Sequence, residues 1–308
     1  MPYFSIIIPV YNRPDEVNDL LESLSKQTYK DFEVIIVEDG STVCCADAVK
    51  RYSRIVDIHY YYKENEGRSI ARNYGLERAV GSYFIFFDSD CVIPEGYFEA
   101  LNAVLNRHYT DCFGGPDAAH DSFSDVQKAI NYSMTSFLTT GGIRGGRVQL
   151  EKFTPRTFNM GFSREVYDRV GGFREMFSED IDMSTRIRQA GFGISLIRNA
   201  FVYHKRRISM RLFFRQIYIF GMSRISLYLL YPDTLKLVHW FPACFVIGTL
   251  AMIVASFFWW PAILPLAIYL FAVFLVSWCV NKRLKIAALS VVASIIQLGG
   301  YGCLLYTS

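Results

Sequence analysis

Three short polar clusters in this 308-residue chain each follow an apolar run, and their residue types suggest one shared chemistry. Tyr11, Asn12 and Arg13 follow Phe4–Val10; Glu38, Asp39, Gly40 and Ser41 follow Phe32–Val37; Asp88, Ser89 and Asp90 follow Tyr83–Phe87. Asp88 and Asp90, two apart at the end of an extended run, can both face one divalent cation, and hard oxygen ligands favour Mg2+ or Mn2+. One acidic pair after a strand is a common turn, but repetition at successive strand ends is not explained by turn chemistry alone. No G-x-G-x-x-G or G-x-x-x-x-G-K-[ST] pattern follows any of these runs, so the dinucleotide fingerprint and the P-loop are both absent. A nucleotide bound here needs another source of positive charge, and a metal bridging carboxylates and a diphosphate would supply it.

The elements that must position these clusters follow from hydrophobic spacing. The strand runs are Phe4–Val10, Phe32–Val37, Ile55–Tyr62 and Tyr83–Phe87, apolar on both faces; Pro14–Lys26, Ala46–Tyr52 and Ser69–Ala79 carry helical spacing between them. Strands apolar on both faces and alternating with helices imply an α/β fold with a mostly parallel central sheet, and such sheets bind ligands beyond the carboxyl ends of their strands. Ser178 or Asp180 begins a further helical pattern through Ile181, Met183 and Ile187, where acids in the first turn also serve as caps.

Composition divides the chain. Overall 52% of residues are hydrophobic and 20% charged, but from position 236 onward only Lys236, Lys282, Arg283 and Lys285 are charged, leaving 28 basic against 29 acidic residues before them. Such content excludes disorder and a purely soluble chain. Three apolar runs, 238–258, 262–280 and 286–305, each approach the roughly 20 residues a membrane-crossing helix needs. Pro242, Pro261 and Pro265 leave a re-entrant first pair open. Lys282, Arg283 and Lys285 between the second and third runs predict a cytoplasmic turn. Upstream, Arg211, Arg215 and Arg224 among Leu, Phe, Ile and Tyr suit a helix in the headgroup layer, or one packed on protein. The expected division is a catalytic domain over 1–205, an interfacial amphipathic segment over 206–235, and a transmembrane region of about three helices over 236–308. Seven cysteines without a C-x-x-C, and no signal-like N-terminus, predict a reducing compartment and a cytosolic first domain.

Taken together, SIIIPVYNR at 5–13, VEDGS at 37–41, NEGRSIARNYG at 65–75, DSD at 88–90 and SEDID at 178–182 resemble glycosyltransferase family 2, whose members are inverting enzymes of the GT-A fold using nucleotide sugars. The resemblance implies that Pro9, Tyr11, Asn12 and Arg13 line the nucleotide pocket, that Asp39 reads the base with Glu38 supporting its loop, and that Arg68 and Arg72 meet the donor phosphates. It further implies that Asp88 and Ser89 lie on the ribose or metal side and that Asp90 ligates Mn2+ or Mg2+. Asp180 in the Glu179–Asp180 pair is implied as general base, taking the acceptor hydroxyl's proton as it attacks the anomeric carbon. His204 is implied either as a metal or diphosphate ligand or as a structural histidine. Lys205, Arg206 and Arg207 read as a membrane-proximal basic patch, and the glycine-rich 141–147 as a lid or a surface loop.

A base at Asp180 argues for a hydroxyl acceptor, and the apolar third of the chain for one carried on a lipid. The processive Q-x-x-R-W signature is missing, since Arg215-Gln216-Ile217-Tyr218 does not match it. The reading is therefore single-sugar transfer from a nucleotide sugar, UDP-sugar before GDP-sugar, to a lipid-linked glycan in cell-surface polysaccharide assembly. It is placed in the inner membrane, multi-pass, with the catalytic domain cytoplasmic; the partners are membrane lipids and no nucleic acid. The alternatives are a polyprenyl-phosphate sugar synthase and a non-catalytic sugar-nucleotide-binding subunit.

Overall fold

A computed structural model describes residues 3–118, 120, 123–141, 153–205, 208–235 and 237–302. Most of the glycine-rich stretch, Arg206 and Arg207 of the basic patch, Lys236 and the end of the third apolar run lie outside the described residues.

In chain order the elements are β1 (Phe4–Val10), α1 (Pro14–Ser25), β2 (Phe32–Asp39), α2 (Ala46–Tyr52), β3 (Ile58–Lys63), α3 (Arg68–Leu76), β4 (Tyr83–Phe86), β5 (Cys91–Val92), α4 (Tyr97–Arg107), β6 (Cys112–Gly114) and β7 (Asp117–Ala118). They continue with α5 (Asp125–Thr135), α6 (Phe137–Thr140), β8 (Met160–Ser163), α7 (Arg164–Val170), α8 (Glu179–Gln189), β9 (Ile194–Leu196) and β10 (Val202–His204). The last four are α9 (Met210–Leu230), α10 (Phe241–Ser256), α11 (Leu264–Asn281) and α12 (Leu284–Gly302). Two compact units result: Met1–Ala118 with Phe153–His204, and Ala119–Lys152 with Lys205–Ser308. A single linear domain over 1–205 does not anticipate the excursion of α5 and α6 into the second unit.

The first unit is an α/β fold around a seven-stranded sheet of order β3-β2-β1-β4-β8-β6-β9. Pairs β1–β2, β1–β4, β2–β3 and β6–β9 are parallel, whereas β8 runs antiparallel to β4 and β6. Period-2 alternation distributes β1 between two cores. Ile6 and Ile8 pack with Leu20, Leu21, Phe98 and Leu101 on one face, and Ile7 packs with Ala71, Leu76 and Met183 on the other. Gly75 permits this second layer, because a Cβ there would lie 2.6 Å from Ile7 Cγ2. β3 begins three residues after the expected Ile55, because Ile55 and Val56 still donate to Tyr52 O in the turn that closes α2. A smaller sheet of order β5-β10-β7 gathers segments near 91, 117 and 204.

In the second unit, α12 packs on α5, α9, α10 and α11. On α9, Phe213 and Ile217 share a buried cluster with Ile130, Met134 and Ala293, while Arg211 and Arg215 are exposed and Arg224 donates to the Tyr301 hydroxyl. Ser277 donates to Ser290 across α11 and α12 at 2.7 Å, a buried hydrogen bond of the kind that joins apolar helices. Among the described residues, two helical segments are long and apolar enough to cross a membrane, Trp260–Asn281 and Leu284–Gly302. The first of the three expected spans falls short: α10 has 16 residues, about 24 Å against a core near 30 Å. Only 11% of the apolar window in Trp260–Asn281 is buried, unlike the core helix of a soluble protein.

Candidate active site

All the site residues named from the sequence belong to the first unit, and most cluster around the C-terminal ends of β1, β2 and β4. Pro9 lies in β1 opposite Val37 of β2. Beyond the strand Tyr11 is exposed, and Asn12 adopts φ 53°, a left-handed conformation asparagine tolerates better than most residues. Its backbone N–H donates to Ser41 Oγ at 2.8 Å, and its side-chain Oδ1 accepts from Thr42 N, Thr42 Oγ1 and Val43 N at 2.9–3.0 Å. Asn12 thus ties the loop after β1 to the loop after β2. Arg13 Nη1 lies 3.2 Å from Glu16 and 3.6 Å from Asp90.

Glu38 and Asp39 are buried anchors of neighbouring loops. Glu38 Oε2 accepts from Cys45 N, the Cys45 thiol and the Tyr60 hydroxyl, within 3.0–3.2 Å. Burial and the adjacent Glu38 push the Cys45 thiol up, keeping it a donor. Both Asp39 carboxylate oxygens are occupied, Oδ1 by Lys63 Nζ and Glu66 N, and Oδ2 by Gly67 N, at 2.9–3.0 Å. The geometry gives Asp39 the closure of the 63–67 turn; the implied contact to a base has to share these oxygens.

Arg72 changes most on moving from sequence to structure. It is 1% exposed and donates through Nη1 to Glu179 Oε1 at 2.9 Å and through Nη2 to Asp88 Oδ1 at 2.8 Å, with Phe173 beneath its guanidinium. Arg68 takes the other Glu179 oxygen at 2.8 Å. Both Glu179 oxygens are thus paired with arginines and the side chain is buried, so it ties α3 to the start of α8. Arg72 is likewise spent on carboxylates, whereas Arg68 keeps a side chain 58% exposed.

Asp180 has a different environment. Its Oδ1 accepts from Ile181 N at 2.8 Å, so part of the capping expected at this helix start is present. Its Oδ2 lies 3.1 Å from Arg156 Nη1, a residue the sequence reading did not single out. Ser178 precedes it at φ 64°, an uncommon conformation for serine, and sharply turns the chain into α8. Asp182, two residues further along α8 and fully buried, is held by Arg174 and Arg186, and Arg186 donates to Val170 O and Gly172 O.

On the metal side, Asp90 Oδ1 lies 3.1 Å from His204 Nε2, and ligand atoms of Asp90, Cys91 and His204 all fall within 4.8 Å of one another. A carboxylate and an imidazole suit Mn2+ or Mg2+, the nitrogen favouring Mn2+. Burial, with Asp90 and Asp88 adding their charge, pushes the Cys91 thiol up. Of the expected ligands Asp90, Asp88 and His204, Asp90 and His204 fall in this gathering, while Asp88, with one oxygen on Arg72, lies outside it among the described residues. Ser89 between them is buried.

Comparison with known proteins fits this arrangement. Glycosyl transferase family 2 matches residues 5–171, and Glycosyl transferase family 21 matches residues 147–298. Glycosyltransferase AglE of Haloferax volcanii is 24% identical over 267 residues, covering 81% of this chain and 82% of that protein. The glycosyltransferase EpsJ of Bacillus subtilis is 36% identical over 208 residues, 65% of this chain and 57% of its own. Other relatives are much longer: the match covers 14% of a Rickettsia felis glycosyltransferase that is 43% identical over 86 residues. Among solved structures, the mannosyltransferase PcManGT of Pyrobaculum calidifontis, in complex with GDP-Man and Mn2+, superposes with a TM-score of 0.66 at 16% identity, covering 97% of this chain and 87% of that one. S. aureus TarS 1-349 in complex with UDP-GlcNAc gives 0.54 at 18% identity, covering 100% and 91%. These likenesses establish a GT-A type fold. Because the family match takes in more than half of the chain and carries the motifs that build this sheet edge, the chain belongs to glycosyltransferase family 2.

Proposed function

We propose that the protein is a membrane-anchored inverting glycosyltransferase that moves one sugar from a nucleotide sugar to a hydroxyl of a lipid-linked glycan in cell-surface polysaccharide assembly. The observation that carries this reading is the Arg72 bridge: Asp88, two residues from Asp90, and Glu179, next to Asp180, share one guanidinium. The strand end that carries Asp90 and the helix start that carries Asp180 are thereby tied together. Asp90 and His204 would hold a divalent cation, which would offset the charge of the leaving nucleoside diphosphate. Mn2+ is preferred to Mg2+ because His204 offers nitrogen. The exposed guanidinium of Arg68 and the loop locked by Asn12 complete the donor side.

Asp180 accepts the proton of the acceptor hydroxyl as the oxygen attacks the anomeric carbon opposite the leaving diphosphate, which inverts that centre. Support for a nucleotide-sugar donor comes from the GDP-Man and UDP-GlcNAc held by the two structural neighbours. A UDP-sugar is preferred, with a GDP-sugar second. Trp260–Asn281 and α12 anchor the chain in the inner membrane as a multi-pass protein with the first unit cytoplasmic, and α9 lies in the headgroup layer. One observation favours a second reading: Arg156 sits on Asp180, and a polyprenyl phosphate acceptor, already ionised, would pair with that guanidinium and need no base.

The test is Asp180→Asn in the purified full chain, following nucleoside diphosphate release with hydroxyl and with phosphate acceptors. Loss of transfer to a hydroxyl by 100-fold or more, with donor binding retained, is the expected result for a general base. Full activity in Asp180→Asn removes the base assignment, and transfer only to a phosphate acceptor selects the second reading.

A further inference from the structure

His204 meets one neighbour from the motifs, Asp90, and others from outside them. It ends β10, which is paired antiparallel to β5 with His204 opposite Cys91, and parallel to β7 with Val202 opposite Asp117. This two-sided pairing brings together residues from three distant segments. Phe158 stacks on the imidazole at 4.6 Å between ring centroids and 25° between planes, which limits the ring's tilt. The two ring nitrogens then meet two different carboxylates: Nε2 lies 3.1 Å from Asp90 Oδ1, and Nδ1 lies 3.8 Å from Asp117 Oδ2. The Asp117 side chain is 1% exposed.

We propose that Asp117 is a positioning residue for the divalent cation held by Asp90 and His204. Its carboxylate takes the Nδ1–H of His204 and so leaves the Nε2 lone pair directed at the cation beside Asp90. The proposal rests on the metal assignment above. The 3.8 Å separation is an ion-pair distance rather than a hydrogen bond, and a shift of under 1 Å in either side chain closes it. Histidines that ligate metals generally donate the second ring N–H to a carboxylate or carbonyl, and loss of that partner weakens binding roughly 10–100-fold.

The experiment is a Mn2+ titration of the full chain in detergent without nucleotide, read by the electron paramagnetic resonance signal of free Mn2+. Asp117→Ala is expected to weaken binding about 10–100-fold, and Asp117→Asn, which keeps the side-chain shape and a weaker acceptor, by an intermediate factor. Asp117→Ala in a His204→Ala background should weaken it no further than His204→Ala alone, because the effect passes through the imidazole. Unchanged affinity in both Asp117 variants overturns the inference, as does a full additional loss in the His204→Ala background. If Asp90→Ala and His204→Ala themselves leave Mn2+ binding unchanged, the metal assignment fails, a result distinct from failure of Asp117 alone. Unfolding transitions of each variant identify a loss caused by misfolding, and Asp117→Asn keeps the test open if the alanine variant does not fold.

Discussion

Replacing Arg72 with methionine breaks the bridge between the two acidic motifs, and the burial of its partners sets the cost. The Asp88 side chain is 35% exposed and can turn to water, so its share is that of a surface pair, about 0–1 kcal/mol. Glu179 is 3% exposed and cannot. It retains Arg68 on Oε2, but that guanidinium leaves Oε1 without its charged partner. Removing one partner of a buried pair costs roughly 3–5 kcal/mol, and the surviving Arg68 contact puts this case near the lower end, about 3 kcal/mol. At roughly 2–4 °C per kcal/mol for a domain of this size, Tm should fall by about 6–12 °C. The assay is thermal unfolding of the full chain in one detergent at one scan rate, which keeps the comparison valid where unfolding is irreversible. Arg72→Met/Glu179→Leu replaces the pair by apolar side chains and should recover most of the loss, because no buried charge is left over. Arg72→Lys should fall between parent and Arg72→Met, since one ammonium cannot reproduce the fork to two carboxylates. A single variant melting within about 2 °C of the parent, or a double variant melting below the single one, would refute the reasoning.

Asn12→Ala removes the acceptor that holds the N–H groups of Thr42 and Val43, and should cost about 1–2 kcal/mol and raise the donor KM several-fold. Asn12→Gly relieves the φ 53° backbone without restoring the acceptor, so it should recover only part; parent-like Tm and KM in Asn12→Ala would sink the idea. Burial pushes up the thiols of Cys45, Cys91 and Cys112, so each stays protonated in the fold where the unfolded chain ionises. The stability they contribute is complete below about pH 8.5 and is lost as pH rises, by up to ~1.4 kcal/mol per pH unit for each thiol. Melting temperature should therefore drop between about pH 8 and 10, with a shallower slope in Cys45→Ala; equal slopes would count against the burial argument. The weakly buried Trp260–Asn281 segment predicts that the chain stays with membranes through an alkaline carbonate wash, and release into the supernatant would contradict a spanning role.

How far the site could be read in advance depended on whether a residue's partner was local. β1 and β2 were recoverable because both their faces are buried, which writes a continuous apolar run into the chain, and the positions of Asn12 and Asp90 near strand ends follow from such runs. The start of β3 was read too early because Ile55 is as apolar as a strand residue and nothing in its type reveals the α2 closing turn. Composition likewise gave α10 the character of a span but not its length, which the helix itself sets at 16 residues.

Arg72 exposes the deeper limit. An arginine in a nucleotide-binding pattern carries the same charge whether it faces phosphate or carboxylate, and the decision rests on Glu179, 107 positions away in sequence. Topology makes that decision: α3 and α8 both cover the same face of the sheet, sharing the core with Ile7, Ile35 and Val37, so the first turns of two distant helices meet. Asp117 and Arg156 were missed for the same reason. Asp117 lies on a strand of two residues that exists only through its pairing with β10, and Arg156 lies in an irregular segment before β8. Neither has a local pattern that could have marked it. The acids most visible in the motifs therefore include one, Glu179, that braces α3 against α8, while side chains with no motif, Arg156 and Asp117, lie near the Asp180 carboxylate and the His204 imidazole.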